Sequence, residues 1–407
     1  MPEVLVVQCV QKMPLGINKY KEVGLLKIFK FMVPEIIFGK GTTRLVGESA
    51  RRLGANRVFL VSDKGVAEAG WVDRAINYLK EAGLEVKVWL DVTPNPKDYE
   101  VERGTEAYLE SGCDVVVGLG GGSAIDAAKA IALLATNGGK IRDYEGVDKI
   151  KKPLPPLICI ATTAGAGAEV TQFSIIVDSE RKVKMAIGSK SLVPDIAIID
   201  PVLLSTKDAV LTADTGMDAL SHAIEAYVSV AATPMTDVFA LRAIQLIASS
   251  LRASVASRTN EEAKTTMAMA SLMAGIALSN AILGAVHAMA HPLGGLLDLP
   301  HGEVNSILLP HVMRFNLIAC VERYAQIAQA MGERTEGLSM REAAEKAIAA
   351  VERLRSDIGI KPRLSDVGLK EEHIPALSRA AVADVCLVTN PRDATEEEIA
   401  EIYRAAL

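Results

Sequence analysis

A chain of 407 residues is long enough to bury a large core and to hold two or three domains. Half of it is hydrophobic and only 4% aromatic, with abundant Ala, Gly and Met, a balance that suits helices packed on small residues and argues against an aromatic-rich β-sandwich. The formal charge of -6 offers no basic face for a phosphate backbone, which excludes general nucleic-acid binding.

In chain order, residues 1–30 read as an accessory arm. Their opening, MPEVLVVQCVQKMPLG, lacks the basic leader, the longer apolar run and the small-residue cleavage site of a secretory signal. Cys9, Cys113, Cys159, Cys320 and Cys386 are odd in number and form no CxxC pair, so neither a disulfide framework nor a thiolate metal site is expected. A reducing cytoplasm suits such a chain.

From residue 31 to 205 the runs EIIFGKG, RVFLVSD, EVKVWLD, CDVVVGLG, PLICIATT and DIAIIDP predict strands. Between them TTRLVGESARRLGA, GWVDRAINYLKEAGL and YEVERGTEAYLESGC place apolar residues at helical spacing and stop at Gly. Strands alternating with helices imply a largely parallel sheet covered on both faces, a Rossmann-like nucleotide-binding α/β domain.

Within it, VVVGLGGGSAIDAAKA is a strand, a glycine run and a helix. Gly121 and Gly122 let the backbone approach an anion, and Ser123 is expected as N-cap of a helix whose free N–H groups and dipole face the same point. The run is neither a strict GxGxxG nor a P-loop, and a tight turn without a ligand is the alternative. A second loop, ICIATTAGAGAEVT, offers the hydroxyls of Thr162 and Thr163 at the end of another strand. Two such loops favour a dinucleotide. Asp63, ending VFLVSD, suits the hydroxyl pair of an adenosine ribose and would repel a 2′-phosphate, favouring NAD(H) over NADP(H). It could equally cap the helix of KGVAEAG.

From 206 to 407 the pattern turns helical: AVLTADTGMDALSHAIEAYVS, DVFALRAIQLIASSLRASVAS, SMREAAEKAIAAVERLRSDIG and EEEIAEIYRAAL predict an all-α domain without repeats. MAMASLMAGIALSNAILGAVHAMA, 267–290, carries no formal charge and is long enough to span a bilayer, but it is broken by Ser271, Ser279, Asn280 and His287 and has no basic flank. A buried helix is expected there, and no membrane.

Five of the six histidines fall between 222 and 311. Asp218 and His222 are four residues apart on one helix face, as are His287 and His291, and His301 follows a Pro-Leu-Gly-Gly turn. Either pair alone could be mere packing. Gathered in surroundings of Ala, Leu and Met, unpaired imidazoles would lack partners that a metal supplies, and a carboxylate with imidazoles suits iron(II) or zinc in a catalytic site with an open position. His311 reads as a helix-start or core residue and His373 as a solvated one.

Taken together, GLGGGSAIDAAKA, ATTAGAGAEVT, SLVPDIAIIDP, DTGMDALSHAIEAY and AVHAMAHPLGGLLDLPHGEVNSILLPHVMRFN resemble the iron-containing (group III) alcohol dehydrogenases from about residue 31 to the end. The resemblance implies an NAD(P)-binding α/β domain, a helical metal domain and an active site in the cleft between them. It implies Asp218, His222, His287 and His301 as ligands of a divalent metal, Fe2+ ahead of Zn2+, and His291 as a proton relay beside substrate and nicotinamide. Gly121, Gly122 and Ser123 would form the pyrophosphate loop and Thr162 and Thr163 the second cofactor loop. Lys184 and Asn95 would be further cofactor contacts, and Asp63 the acid that accompanies NAD preference. Two features depart from the family pattern: Ala166 and Ala168 stand where hydroxyl residues are common, and the arm before Phe31 is longer than usual.

The implied reaction is hydride transfer between a primary alcohol or diol and its aldehyde, by a homodimer or higher homo-oligomer acting on small molecules. A dehydroquinate synthase-like lyase, which also pairs NAD with a metal, is the alternative.

Overall fold

The computed structural model describes residues 30–407, so the expected N-terminal arm lies outside the described residues except for its last position. Strands β1 (Glu35–Phe38), β2 (Arg57–Val61), β3 (Glu85–Trp89), β4 (Val115–Gly120), β6 (Leu157–Ala161) and β9 (Ile196–Ile199) are the six expected runs. They form one all-parallel sheet in the order β1-β9-β6-β4-β2-β3. The central strands are buried on both faces, β4 at every residue, which is why they read as unbroken Val, Ile and Leu rather than as an alternation. Helices α1 (Val46–Arg52), α2 (Lys64–Glu68), α3 (Trp71–Glu81), α4 (Asp98–Ser111) and α5 (Gly122–Asn137) supply the crossovers.

The order places a topological switch between β2 and β4. From β2 the chain steps outward to β3, whereas from β4 it proceeds the other way through β6 to β9. The carboxyl ends of these two strands open a crevice where a ligand fits an α/β sheet.

A second sheet was not legible in the sequence. β7 (Phe173–Asp178) and β8 (Val183–Gly188) pair antiparallel, with the two-residue β5 (Gly146–Val147) alongside β8. Their alternating burial sits on mixed residues such as VKMAIG, too short a run to separate from loop.

The rest is helical: α6 (Ala209–Val228), α7 (Pro234–Ala256), α8 (Glu261–Ala281), α9 (Ala285–Leu297), α10 (His301–Asn316), α11 (Val321–Ala330), α12 (Met340–Asp357), α13 (Ile374–Val382) and α14 (Glu396–Ala406). One apolar cluster spans these helices and two more cover the faces of the large sheet. Each fully buried Leu or Ile in them contributes about 1.5–3 kcal/mol.

Two local expectations are corrected. The apolar stretch 267–290 is not one helix: the chain breaks at 282–284, with Ile282 at φ 62, and α8 and α9 meet at 100°. α7 is long and apolar enough to cross a membrane by length and composition, but its inner face, including Ile244, Ile247 and Leu251, lies in the helical core. Nor does Pro-Leu-Gly-Gly form a turn, because α9 continues through Pro292 to Leu297 and the chain reverses at Asp298, φ 50. Gly294 and Gly295 serve close packing instead. A Cβ on Gly295 would stand 2.9 Å from the Lys182 carbonyl oxygen, so the helix needs bare backbone to lie against β8.

Candidate active site

α6 starts where the Asp208 carboxylate accepts the Leu211 N–H, and from Ala213 onward it is almost wholly buried. It carries Asp218 and His222 on one face. α9 brings His287 against them, and their ligand atoms all lie within 4.8 Å of one another. His222 Nε2 is 3.5 Å and His287 Nε2 3.8 Å from Asp218 Oδ1, and the two rings stack at 4.7 Å. His301, first residue of α10, lies just outside this trio, its ring centroid 5.2 Å from that of His287 and its buried Nδ1 without a partner among the described residues.

The partners of the other ring nitrogens fix the tautomers. His222 Nδ1 faces the Gly165 carbonyl at 3.2 Å, and His287 Nδ1 meets the Glu225 carboxylate. Both partners only accept, so each Nδ1 carries a proton, and Nε2, on the Asp218 side, is the nitrogen left for a cation to take, displacing any proton it holds. One carboxylate oxygen, two imidazole Nε2 atoms beside it and a third imidazole with an unpartnered nitrogen form a donor set that fits a divalent cation.

Charge is arranged to match. Burial opposes ionisation of Asp218, but the neighbouring histidines overcome it and hold the carboxyl far below its usual range. Burial pulls His222 down to about 4 and, with the Lys184 charge, His301 well below the ordinary imidazole value. For His287 burial is outweighed by Glu225 and Asp218, and its value rises to about 9.

Three residues absent from the sequence reading complete the centre. Glu225 accepts the Val286 N–H at 2.7 Å with the oxygen that His287 does not use, so one carboxylate caps α9 and orients its first histidine. The preceding N–H of α9, on Ala285, is taken at 3.1 Å by Asn390. Asn305 donates to Asp218 at 2.8 Å and reaches His287 Nε2 at 3.0 Å. Glu225 and Asn305 were within reach of sequence reasoning: they lie one turn after His222 and His301, each a polar residue in an apolar helix. Asn390 carried no such signal.

His291, one turn beyond His287, is removed from the trio. Its Nδ1 is 2.8 Å from Asp384 Oδ2, and its ring stacks on His301 at 5.5 Å. His311 stays outside, half-buried in α10.

The crevice at the switch point gathers the expected cofactor residues. α5 begins at Gly122 with Gly121 as N-cap and no side-chain cap, so Ser123 is not the N-cap: β4 remains extended through Gly120 and the helix turns two residues earlier than expected. The first N–H groups of α5 are thereby left without a capping side chain. The second loop lies directly on this turn. A Cβ on Gly121 would touch Thr163 at 3.4 Å, and one on Gly122 would stand 2.9 Å from the Ala166 methyl. At position 122 a glycine is what the contact requires. Thr162 bonds through its N–H to the Gly120 carbonyl, while its buried hydroxyl has no partner among the described residues. Asp63 is the N-cap of α2, its Oδ1 accepting Val66 N–H at 2.9 Å; the other oxygen lies 3.3 Å from where a Cβ on Gly120 would be. Capping and facing the crevice are thus compatible.

Two expected residues reach toward the metal helices. Lys184 on β8 sets its Nζ against Gly294 of α9, and burial lowers it to about 8 despite the pull of Asp218, Asp298 and Asp126. Asn95, φ 52, donates to Asp298, itself at φ 50, at 2.9 Å, so two left-handed residues on loops 203 positions apart meet across the cleft.

Against known proteins, a profile described as iron-containing alcohol dehydrogenase matches residues 34–201, and one for the C-terminal part of the Fe-containing alcohol dehydrogenase family matches residues 212–407. The 1,3-propanediol dehydrogenase of Klebsiella pneumoniae is 48% identical over 383 residues, covering 93% of this chain and 99% of its own. The NAD-dependent methanol dehydrogenase of Bacillus methanolicus is 45% identical over 377 residues, with the same shares. A crystal structure of 1,3-propanediol oxidoreductase superposes with a TM-score of 0.92 at 48% identity, covering 94% of this chain and 100% of that one.

Proposed function

The chain belongs to the iron-containing alcohol dehydrogenase family, and from that premise we propose how its residues divide the work. The enzyme is an NAD-dependent oxidoreductase that moves a hydride between an alcohol and its aldehyde. Lyase chemistry of the dehydroquinate synthase type finds no support among these dehydrogenases. Asp218, His222, His287 and His301 hold the divalent metal, iron being the one the family description names. The single observation that carries this is the convergence of two imidazole Nε2 atoms on Asp218 beside an imidazole whose Nδ1 has no partner among the described residues.

The bound metal supplies Lewis-acid polarisation of the substrate oxygen, and NAD supplies the hydride acceptor. The protein's part is position and protons. Gly121, Gly122 and Ser123 receive the pyrophosphate on the uncapped end of α5, and Thr162 and Thr163 flank it from the second loop. Asp63 accepts from the adenosine ribose and disfavours a 2′-phosphate, giving NAD(H) preference over NADP(H). Lys184 and Asn95 contact the cofactor where the sheet faces the metal helices. His291 takes up the alcohol proton and passes it toward solvent.

Primary alcohols and diols are the proposed substrates, as in the two named relatives. A cytoplasmic location is supported by cysteines without a CxxC pair. A homodimer or higher homo-oligomer is supported by exposed Val230, Met235 and Val238 around the start of α7, at 59%, 44% and 68% exposure. The test is metal analysis of anaerobically purified enzyme together with a panel of alcohols and both cofactors. About one iron per chain and NADH formation from short primary alcohols or diols are expected; full turnover by a verified metal-free Asp218→Ala variant would overturn the assignment.

A further inference from the structure

Two carboxylate–histidine pairs lie side by side on α9. In one, Glu225 holds the proton on His287 Nδ1 and frees its Nε2 for the metal centre. In the other, Asp384 meets His291 Nδ1 at 2.8 Å. His291 is only 9% exposed, and the Asp384 side chain 14%. Asp384 comes from the turn after α13, 93 residues from its partner, and no motif in the sequence pointed to it.

The carboxylate is fixed from both sides. Asp384 Oδ1 accepts the Cys386 N–H at 2.8 Å and caps the 3-10 turn Val385–Thr389, which leaves only Oδ2 for the imidazole. That turn is anchored to the start of α9: Thr389 donates to the Leu283 carbonyl at 2.6 Å, and Asn390 accepts the Ala285 N–H. One short segment thus holds both the helix that carries His291 and the acid that faces it. Cys386 Sγ also lies within 4.8 Å of these groups. Because both Asp384 oxygens are already engaged, the trio reads as an oriented pair and not as a second metal centre.

We propose that Asp384 is a positioning residue for proton transfer: it holds His291 as the Nδ1–H tautomer, leaving Nε2 as the free base that handles the substrate proton. The inference rests on the assignment of His291 as the relay.

The discriminating variant is Asp384→Asn. It preserves shape, and its oxygen is retained by the Cys386 N–H, so its amide nitrogen faces His291 Nδ1. A donor there forces Nδ1 to accept and moves the proton to Nε2. Ring-15N-histidine NMR of the metal-free protein, with His291 assigned by loss of its signals in His291→Gln, is expected to show an Nδ1–H tautomer in the parent and Nε2–H in Asp384→Asn. In the holoenzyme the single-turnover rate of NADH formation is expected to fall about 10- to 100-fold, with metal content and the KM values for alcohol and NAD within about twofold of the parent. The double variant should be no slower than His291→Gln alone. A collapsed rate in His291→Gln with an unchanged tautomer and normal rate in Asp384→Asn would overturn the role of Asp384 and leave His291 as the relay. A normal rate in His291→Gln would overturn the relay and the kinetic role of Asp384 together.

Discussion

Glu225→Gln separates geometry from charge at the proposed metal centre. The substitution keeps the shape of the side chain, and an amide oxygen can still accept the Val286 N–H that Glu225 takes at 2.7 Å. The remaining amide group then presents N–H where His287 Nδ1–H needs an acceptor. Either two donors face each other, or the imidazole moves its proton to Nε2 and loses the lone pair aimed at the metal. Removal of a carboxylate behind a metal-ligating histidine costs about 10- to 100-fold in metal affinity, or about 1.4–2.7 kcal/mol. Glu225→Ala should in addition lower folding stability by about 1–3 kcal/mol, because it leaves the buried Val286 N–H unpaired. Competition with a chelator of known iron or zinc affinity, read by metal analysis of the protein fraction, gives the shift directly. Parent-like affinity in Glu225→Gln would refute the view that this carboxylate sets the His287 tautomer.

Asp63→Ala should have two separable effects. Loss of the α2 cap lowers stability by about 1 kcal/mol in denaturant titrations, and loss of the carboxylate raises the NADP/NAD ratio of kcat/KM by about tenfold or more; an unchanged ratio would remove Asp63 from cofactor choice. Gly122→Val forces a side chain into the 2.9 Å approach to Ala166, so calorimetric NAD affinity should drop by about tenfold while metal content stays at the parent level. Lys129→Met removes a buried ammonium that donates to the Thr171 and Phe173 carbonyls at 2.6 and 3.0 Å. It should cost about 1–3 kcal/mol for each carbonyl left unpaired, seen as a lower urea midpoint.

Much of the fold was readable because the sheet and the helices obey different periods. Unbroken runs such as VVVGLG and LICIA mark strands buried on both faces, and the 3.6-residue pattern marks the helices around and after them. Short elements that take their stability from neighbours were not readable: the β7–β8 hairpin is held by its packing under α5 and α9, and no local pattern in VKMAIG reports that. The same limit explains Ser123. A serine after glycines has the chemistry of a cap, but the extension of β4 through Gly120 decides where α5 begins. The Pro-Leu-Gly-Gly run likewise has turn composition, and burial of α9 against β8 keeps it helical.

The site divides along the same line. Four-residue spacing placed Asp218 with His222 and His287 with His291, because a helix puts such pairs on one face whatever surrounds it. Spacing could not distinguish a metal ligand from its neighbour. That distinction depends on what stands behind each ring: the Gly165 carbonyl behind His222, Glu225 behind His287 and Asp384 behind His291. Those partners come from a loop of the α/β half, from another helix and from a turn near the end of the chain. Local sequence therefore supplies the imidazoles, while the tertiary packing, by choosing which nitrogen of each keeps its proton, sets what each can do.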